Sequence, residues 1–196
     1  MRSNRLFPAV AMLIAAAASA TTLLAEDVRS LTKSSATVVR GTVKSVEPRW
    51  TKDRARIMTD VVLVVSETWK GAPQQTVTLM QPGGVIGEIG QRVHGTATFS
   101  PGEEVVVFLE ARGDRFLLAG MVQGKFKVER SSDGKSLFAR QELENEALLV
   151  DPLTRQPVTP APLALPLDTL RSQVLAAAGA QAPNEPTQPG PVKVTP

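Results

Sequence analysis

Between residues 27 and 150 the apolar side chains recur with a period of two rather than 3.6, and no other property of the chain restricts its fold as strongly. In "FKVER", Phe126 and Val128 point one way, and Lys125, Lys127 and Glu129 the other, as on a half-buried strand facing water. "TVVRGTVKSV" alternates in the same sense until Val46 falls out of phase, and Gly41 inside that run predicts a bulge or sharp bend. "IMTDVVLVVSE" and "EVVVFLE" are continuous β-branched and apolar runs, which read as central strands covered on both faces. Turn chemistry separates the runs: Gly71-Ala72-Pro73, Pro82-Gly83-Gly84, Pro101-Gly102, Gly113-Asp114 and Ser131 to Gly134. About eight strands at spacings of roughly 8 to 15 residues follow, the pattern of an all-β barrel or sandwich. The expected fold is a small closed or partly open OB-like barrel with a short helix on either side in sequence, at Asp27 to Lys33 and within "PLDTLRSQVLAAAG". In the second helix Asp168 is the candidate N-cap, and Leu167, Leu170 and Val174 form an apolar stripe expected to dock on the domain.

The ends of the chain read differently. Arg2 and Arg5, an apolar run from Leu6 to Ala18, and the small residues Ala18-Ser19-Ala20 have the order of a secretory signal peptide over residues 1–20, with an alternative cleavage after Ala25. The run is about a dozen residues, short of the roughly 20 that span a bilayer, so no stable membrane span is expected after cleavage. Residues 151–179 form a proline-rich connection and the short helix, and 180–196 have little to bury and are expected to be disordered. The 196 residues include no cysteine, so an exported domain of residues 27–150 must be held by burial rather than by disulfides. Removing residues 1–20 leaves 20 basic against 19 acidic side chains, a net of +1. That balance offers no electrostatic case for nucleic acid.

One stretch invites a chemical reading. "LMQPGGVIGEIGQRVHG" holds Gly83, Gly84, Gly87, Gly90 and the only histidine, His94. The spacing fits neither the phosphate-cradling G-x-x-x-x-G-K-[ST] nor the dinucleotide G-x-G-x-x-G between strand and helix, so no cofactor is implied. In "VHGTATF" the alternation predicts a strand with Val93, Gly95, Ala97 and Phe99 inward and His94 outward among solvated side chains. One histidine and no cysteine exclude Cys-type structural zinc sites and His-rich catalytic ones. No nucleophile elbow accompanies His94. Glu103 and Glu104, and Glu142, Glu144 and Glu146, are carboxylate groupings with a catalytic alternative, that of a hydrolase or lyase, and they read first as solvated charges at strand edges. Trp50 and Trp69 lie near the ends of the first two long strands. If those strands pair antiparallel through the basic connection 51–56, the two rings sit at opposite ends, each a cap on the core or an interface anchor.

Taken as an ordered set, "SSATVVRGTVKSVEPRW", "TDVVLVVSETWKG", "QPGG" and "FSPGEEVVVFLE" resemble a group of uncharacterised exported bacterial β-domain proteins over about residues 30 to 130. The resemblance implies a small OB-like barrel and export, and no reaction. In strand order the chain is also faintly similar to netrin-like, tissue-inhibitor-of-metalloproteinases barrels. That family inhibits through an N-terminal cysteine and is braced by disulfides, neither of which this chain can supply. The function expected from the sequence is therefore a non-enzymatic exported binding module, periplasmic or extracellular. It would contact a protein or envelope component through Gly83, Gly84, Gly87, Gly90 and His94, with Trp50 and Trp69 as anchors. A purely structural envelope domain is the remaining alternative.

Overall fold

The structure, a computed structural model, describes residues 21–143, 147–159 and 162–179. The expected signal peptide (1–20), the tail (180–196) and the acidic residues Glu144 and Glu146 lie outside the described residues. In chain order the elements are β1 (Thr21–Leu24), α1 (Val28–Ser34), β2 (Thr37–Trp50), β3 (Ile57–Lys70), β4 (Thr76–Pro82), β5 (Gly84–Ile86), β6 (Ile89–Gln91), β7 (Glu104–Arg112) and β8 (Arg115–Leu118). A 3₁₀ turn at Met121–Gly124 leads into β9 (Lys125–Arg130), β10 (Leu137–Gln141), β11 (Ala147–Val150), β12 (Pro157–Val158), β13 (Ala164–Pro166) and α2 (Leu167–Gly179). The fold is thus mostly β with two helices.

Eight strands form one sheet in the order β13-β10-β9-β7-β2-β3-β4-β8, and β8 also pairs with β7. The pairings therefore return on themselves through five strands, β7, β2, β3, β4 and β8, antiparallel except for the single β4–β8 bridge at Leu79 and Phe116. Turns expected from glycine and aspartate make the hairpins: Gly113-Asp114 joins β7 to β8, and between β9 and β10 the Ser131 and Asp133 side chains cap the turn amides of Ser136 and Lys135. β2 runs unbroken for 14 residues, with its register shifted against β3 at three places, one of them at Gly41. A Cβ there would come within 2.4 Å of the Val64 carbonyl oxygen, so the close backbone approach admits no side chain.

β7 explains why "EVVVFLE" is apolar throughout. Val106 and Phe108 enter one cluster, with Phe126, Trp69 and the helical residues Leu31, Leu170 and Val174. Val105, Val107 and Leu109 enter the other, on the opposite face, with Val61, Leu63, Leu79 and Phe99. Two cores, one roofed by helices and one enclosed by the curling strands, leave no polar position between residues 105 and 109. β3 differs from expectation: one face is buried, while Met58, Asp60 and Val62 on the other are only half covered. Asp27 caps α1 through the Ser30 amide at 2.7 Å. α2 begins at Leu167, so Asp168 lies in its first turn rather than at its cap. The docked stripe is Leu167, Leu170, Val174 and Ala177.

Candidate functional site

The glycine-rich stretch is an ordered hairpin. β5 and β6 pair with each other, Ile86 opposite Ile89, around the two-residue turn Gly87-Glu88, with positive φ at Gly87 where primed hairpin turns place glycine. The four glycines have separate roles. Gly83 and Gly84 seat the hairpin on the sheet, with φ of +94° and +137°, and a Cβ on Gly84 would meet the Thr59 hydroxyl oxygen at 2.6 Å. The Gly83 amide donates to the Ile57 carbonyl at 2.8 Å, and its carbonyl accepts from the Thr59 hydroxyl at 2.7 Å. Gly87 faces open space, and Gly90 has only a methyl of Val85 nearby. Val85 and Ile89, which the sequence reading did not single out, are 65% and 56% exposed. Their signal was present as "VIGEIG", two short β-rich runs about a Gly-Glu turn.

After the hairpin the chain corrects the expected strand at 93–99. His94 and Gly95 form a turn, and residues 96–100 belong to no strand, although Gly95, Ala97 and Phe99 are buried in alternation as expected. Two side chains and one isolated backbone amide, rather than a ladder, pin the segment. The Gln81 amide donates to the Ala97 carbonyl at 2.8 Å, Lys125 Nζ donates to the Thr98 carbonyl, and the Val122 amide donates to the Gly95 carbonyl at 2.9 Å. Periodicity reports which face is buried, and it cannot report which hydrogen bonds hold the backbone. His94 is half-buried, not among solvated side chains on a strand.

Between the hairpin and this extended segment lies a cleft of about 650 Å³, floored by Val46, Thr59 and Gln81 and walled by Val85, Gln91 and Phe99. Gln81 also borders a smaller apolar cavity of about 190 Å³ beside Leu117 and Met121. Gln81 Oε1 is buried and accepts no hydrogen bond among the described residues. The basic connection 51–56 adjoins the same end: the Ile57 amide donates to Gln91 Oε1 at 2.7 Å, and Lys52, Arg54 and Arg56 are exposed. Trp50, half-buried and paired with Ile57 across the ladder, stands at the base of that connection. Trp69 belongs elsewhere. It is 5% exposed in the helix-roofed core, with Nε1 donating to Glu67 at 3.0 Å, so its ring has no free face to offer a partner.

The charged residues are more enclosed than their sequence positions suggest. Lys125, expected on a solvated face, has a side chain 3% exposed. Its ammonium meets Glu103 at 2.7 Å and Glu142 at 3.1 Å, and lies 4.9 Å above the Phe99 ring. Glu103, expected at a solvated edge, is 9% exposed for the same reason: burying one ion obliges its partner to follow. Glu104 instead bonds Arg40, which also holds Glu67. The neighbouring carboxylates are thus each engaged by a different cation. Asp60 joins three strands by accepting hydrogen bonds from Arg49 on β2 and forming an ion pair with Arg115 on β8. Burial pushes its carboxyl upward, but the hydrogen bonds and charges of the two guanidiniums outweigh this and hold it below the ordinary aspartate value. Among the described residues no three His, Asp or Glu side chains converge as metal ligands, and no helix is long and apolar enough to cross a membrane. Fold and site define a mostly β protein with a projecting hairpin and an open cleft at one end of its sheet. Compared with known proteins, the chain matches no family model and no curated protein.

Proposed function

We propose that the protein is an exported, non-enzymatic binding module, working in the periplasm or outside the cell, whose hairpin end grips an extended segment of a partner protein. The observation that carries this reading is the pairing of a projecting two-stranded hairpin with an open cleft at its base. β5 and β6 pair only with each other among the described strands, and a two-stranded ribbon is marginal until something adds to it. Its outer edges carry backbone groups of the kind an added strand satisfies, and Val85 and Ile89 offer apolar side chains on its two faces. Among the described residues no donor reaches the buried Gln81 Oε1, and a peptide amide supplies one.

An OB-like barrel, of the exported β-domain kind that the sequence resembles, is the finer reading of the fold. Its support is the order β2-β3-β4-β8-β7 returning to β2, with β2 shared by β3 and β7 and with β4 parallel to β8. OB domains commonly bind with the loop between their first two strands. Here that loop is 51–56, bonded to the hairpin through Ile57 and Gln91. The test is recovery of partners from the exported fraction on the chain from Thr21 onward, compared with a Val85→Ser, Ile89→Ser variant of unchanged thermal unfolding. The reading expects loss of a partner in the variant, and an unchanged set of partners overturns it.

A further inference from the structure

We infer that residues 21–25 are part of the working fold, and that a signal-peptidase-type endoprotease therefore releases this chain by hydrolysing the Ala20–Thr21 bond rather than the bond after Ala25. The inference rests on reading residues 1–20 as an export signal. In the cleavage, the amide C–N bond breaks, water supplies the new hydroxyl of the Ala20 carboxyl group, and its proton goes to the Thr21 amine.

Two independent observations converge on that bond. Enzymes that remove export signals require small residues at the first and third positions before the cut. Ala20 and Ala18 meet the requirement, whereas a cut after Ala25 places Leu23 at the third position. The second observation is structural. Thr21–Leu24 is β1, paired in parallel with Ala147–Val150 of β11, and the ladder continues through the Ala25 amide to the Val150 carbonyl at 2.8 Å. Leu23 packs against the core enclosed by the curling strands, near Gly95. Gln123, 3% exposed, then clamps the exit from β1: its Nε2 donates to the Leu24 carbonyl at 2.8 Å, and its Oε1 accepts from the Glu26 amide at 2.9 Å. A cut after Ala25 removes β1, leaves that edge of β11 bare, and takes away the nearer of the two acceptors of the Gln123 amide, leaving the Gly120 carbonyl at 3.4 Å.

The full chain is expressed with its own N-terminus, and the exported product is weighed intact by mass spectrometry. The expected mass begins at Thr21. A product beginning at Glu26 overturns the cleavage site, and an exported product that retains Met1 to Ala20 overturns the signal reading beneath it. Chains made to begin at Thr21 and at Glu26 are then compared by thermal unfolding. The shorter is expected to melt lower by about 4 °C or more, and equal melting temperatures overturn the claim that residues 21–25 belong to the fold.

Discussion

At the scale of single residues, Lys125 is where charge and burial are most tightly bound together. Its ammonium is satisfied by Glu103, Glu142 and the Thr98 carbonyl, so removing it leaves a buried carboxylate uncompensated. Lys125→Met is expected to lower the stability measured by denaturant unfolding by about 3 to 5 kcal/mol, with part recovered when Glu103→Gln is added. A loss of the same size in the single and double variants would mean that the cost comes from packing on Phe99 instead. Gly84 and Gly90 make a second contrast. Gly84→Ala strains a left-handed backbone and drives a methyl into Thr59, for an expected loss above about 1 kcal/mol. Gly90→Ala meets only a Val85 methyl at 3.7 Å and should change stability by less than about 0.5 kcal/mol. Neither lysine nor glycine announces such roles in a one-dimensional pattern, because both depend on what a distant segment places opposite them.

Among the elements, β2, β3 and β8 are tied by one carboxylate, and that gives the sheet a dependence on pH. Asp60 titrates lower in the folded chain than in the unfolded one, so its contribution is complete above the unfolded value and is lost as pH falls toward the folded one. The loss begins below about pH 4. Asp60→Asn should therefore flatten the acid limb of a plot of Tm against pH, while lowering Tm at neutral pH because Arg49 and Arg115 lose their charged partner. An acid limb of unchanged slope would place the sensitivity elsewhere. The strand elements themselves were legible where alternation coincided with a ladder, as in β2 and β9, and where an unbroken apolar run did, as in β7. At 93–99 the alternation was equally clear and the ladder absent, because Gln81, Lys125 and Val122 reach the segment from other parts of the chain.

At the scale of the whole molecule, the two cores divide the labour. One is enclosed by the curling strands and by Phe99; the other exists only because α1 and α2 cover the sheet. Leu170 is fully buried in the second, so Leu170→Ala should cost about 2 to 5 kcal/mol by denaturant unfolding. A loss below 1 kcal/mol would show that the sheet stands without its helical cover. Trp69 lies under that cover, which is why a ring attractive as an interface anchor is part of the core instead.

From residue order alone came the β class, the turns, the two helices, the bulge at Gly41, the misfit of the glycine stretch to two phosphate motifs and the lack of any cysteine. These follow from local rules: period, turn residues, caps, and the types of side chain available. Tertiary structure alone decided that the glycine stretch is a hairpin wall beside a cleft, that Lys125 and Glu103 go inside together, and that Thr21–Leu24 completes a second sheet with residues more than a hundred positions away. Each of these depends on contacts between segments far apart in the chain. Hydrophobic periodicity records how a residue relates to its neighbours in sequence, and it carries no trace of the partner that folding brings to it.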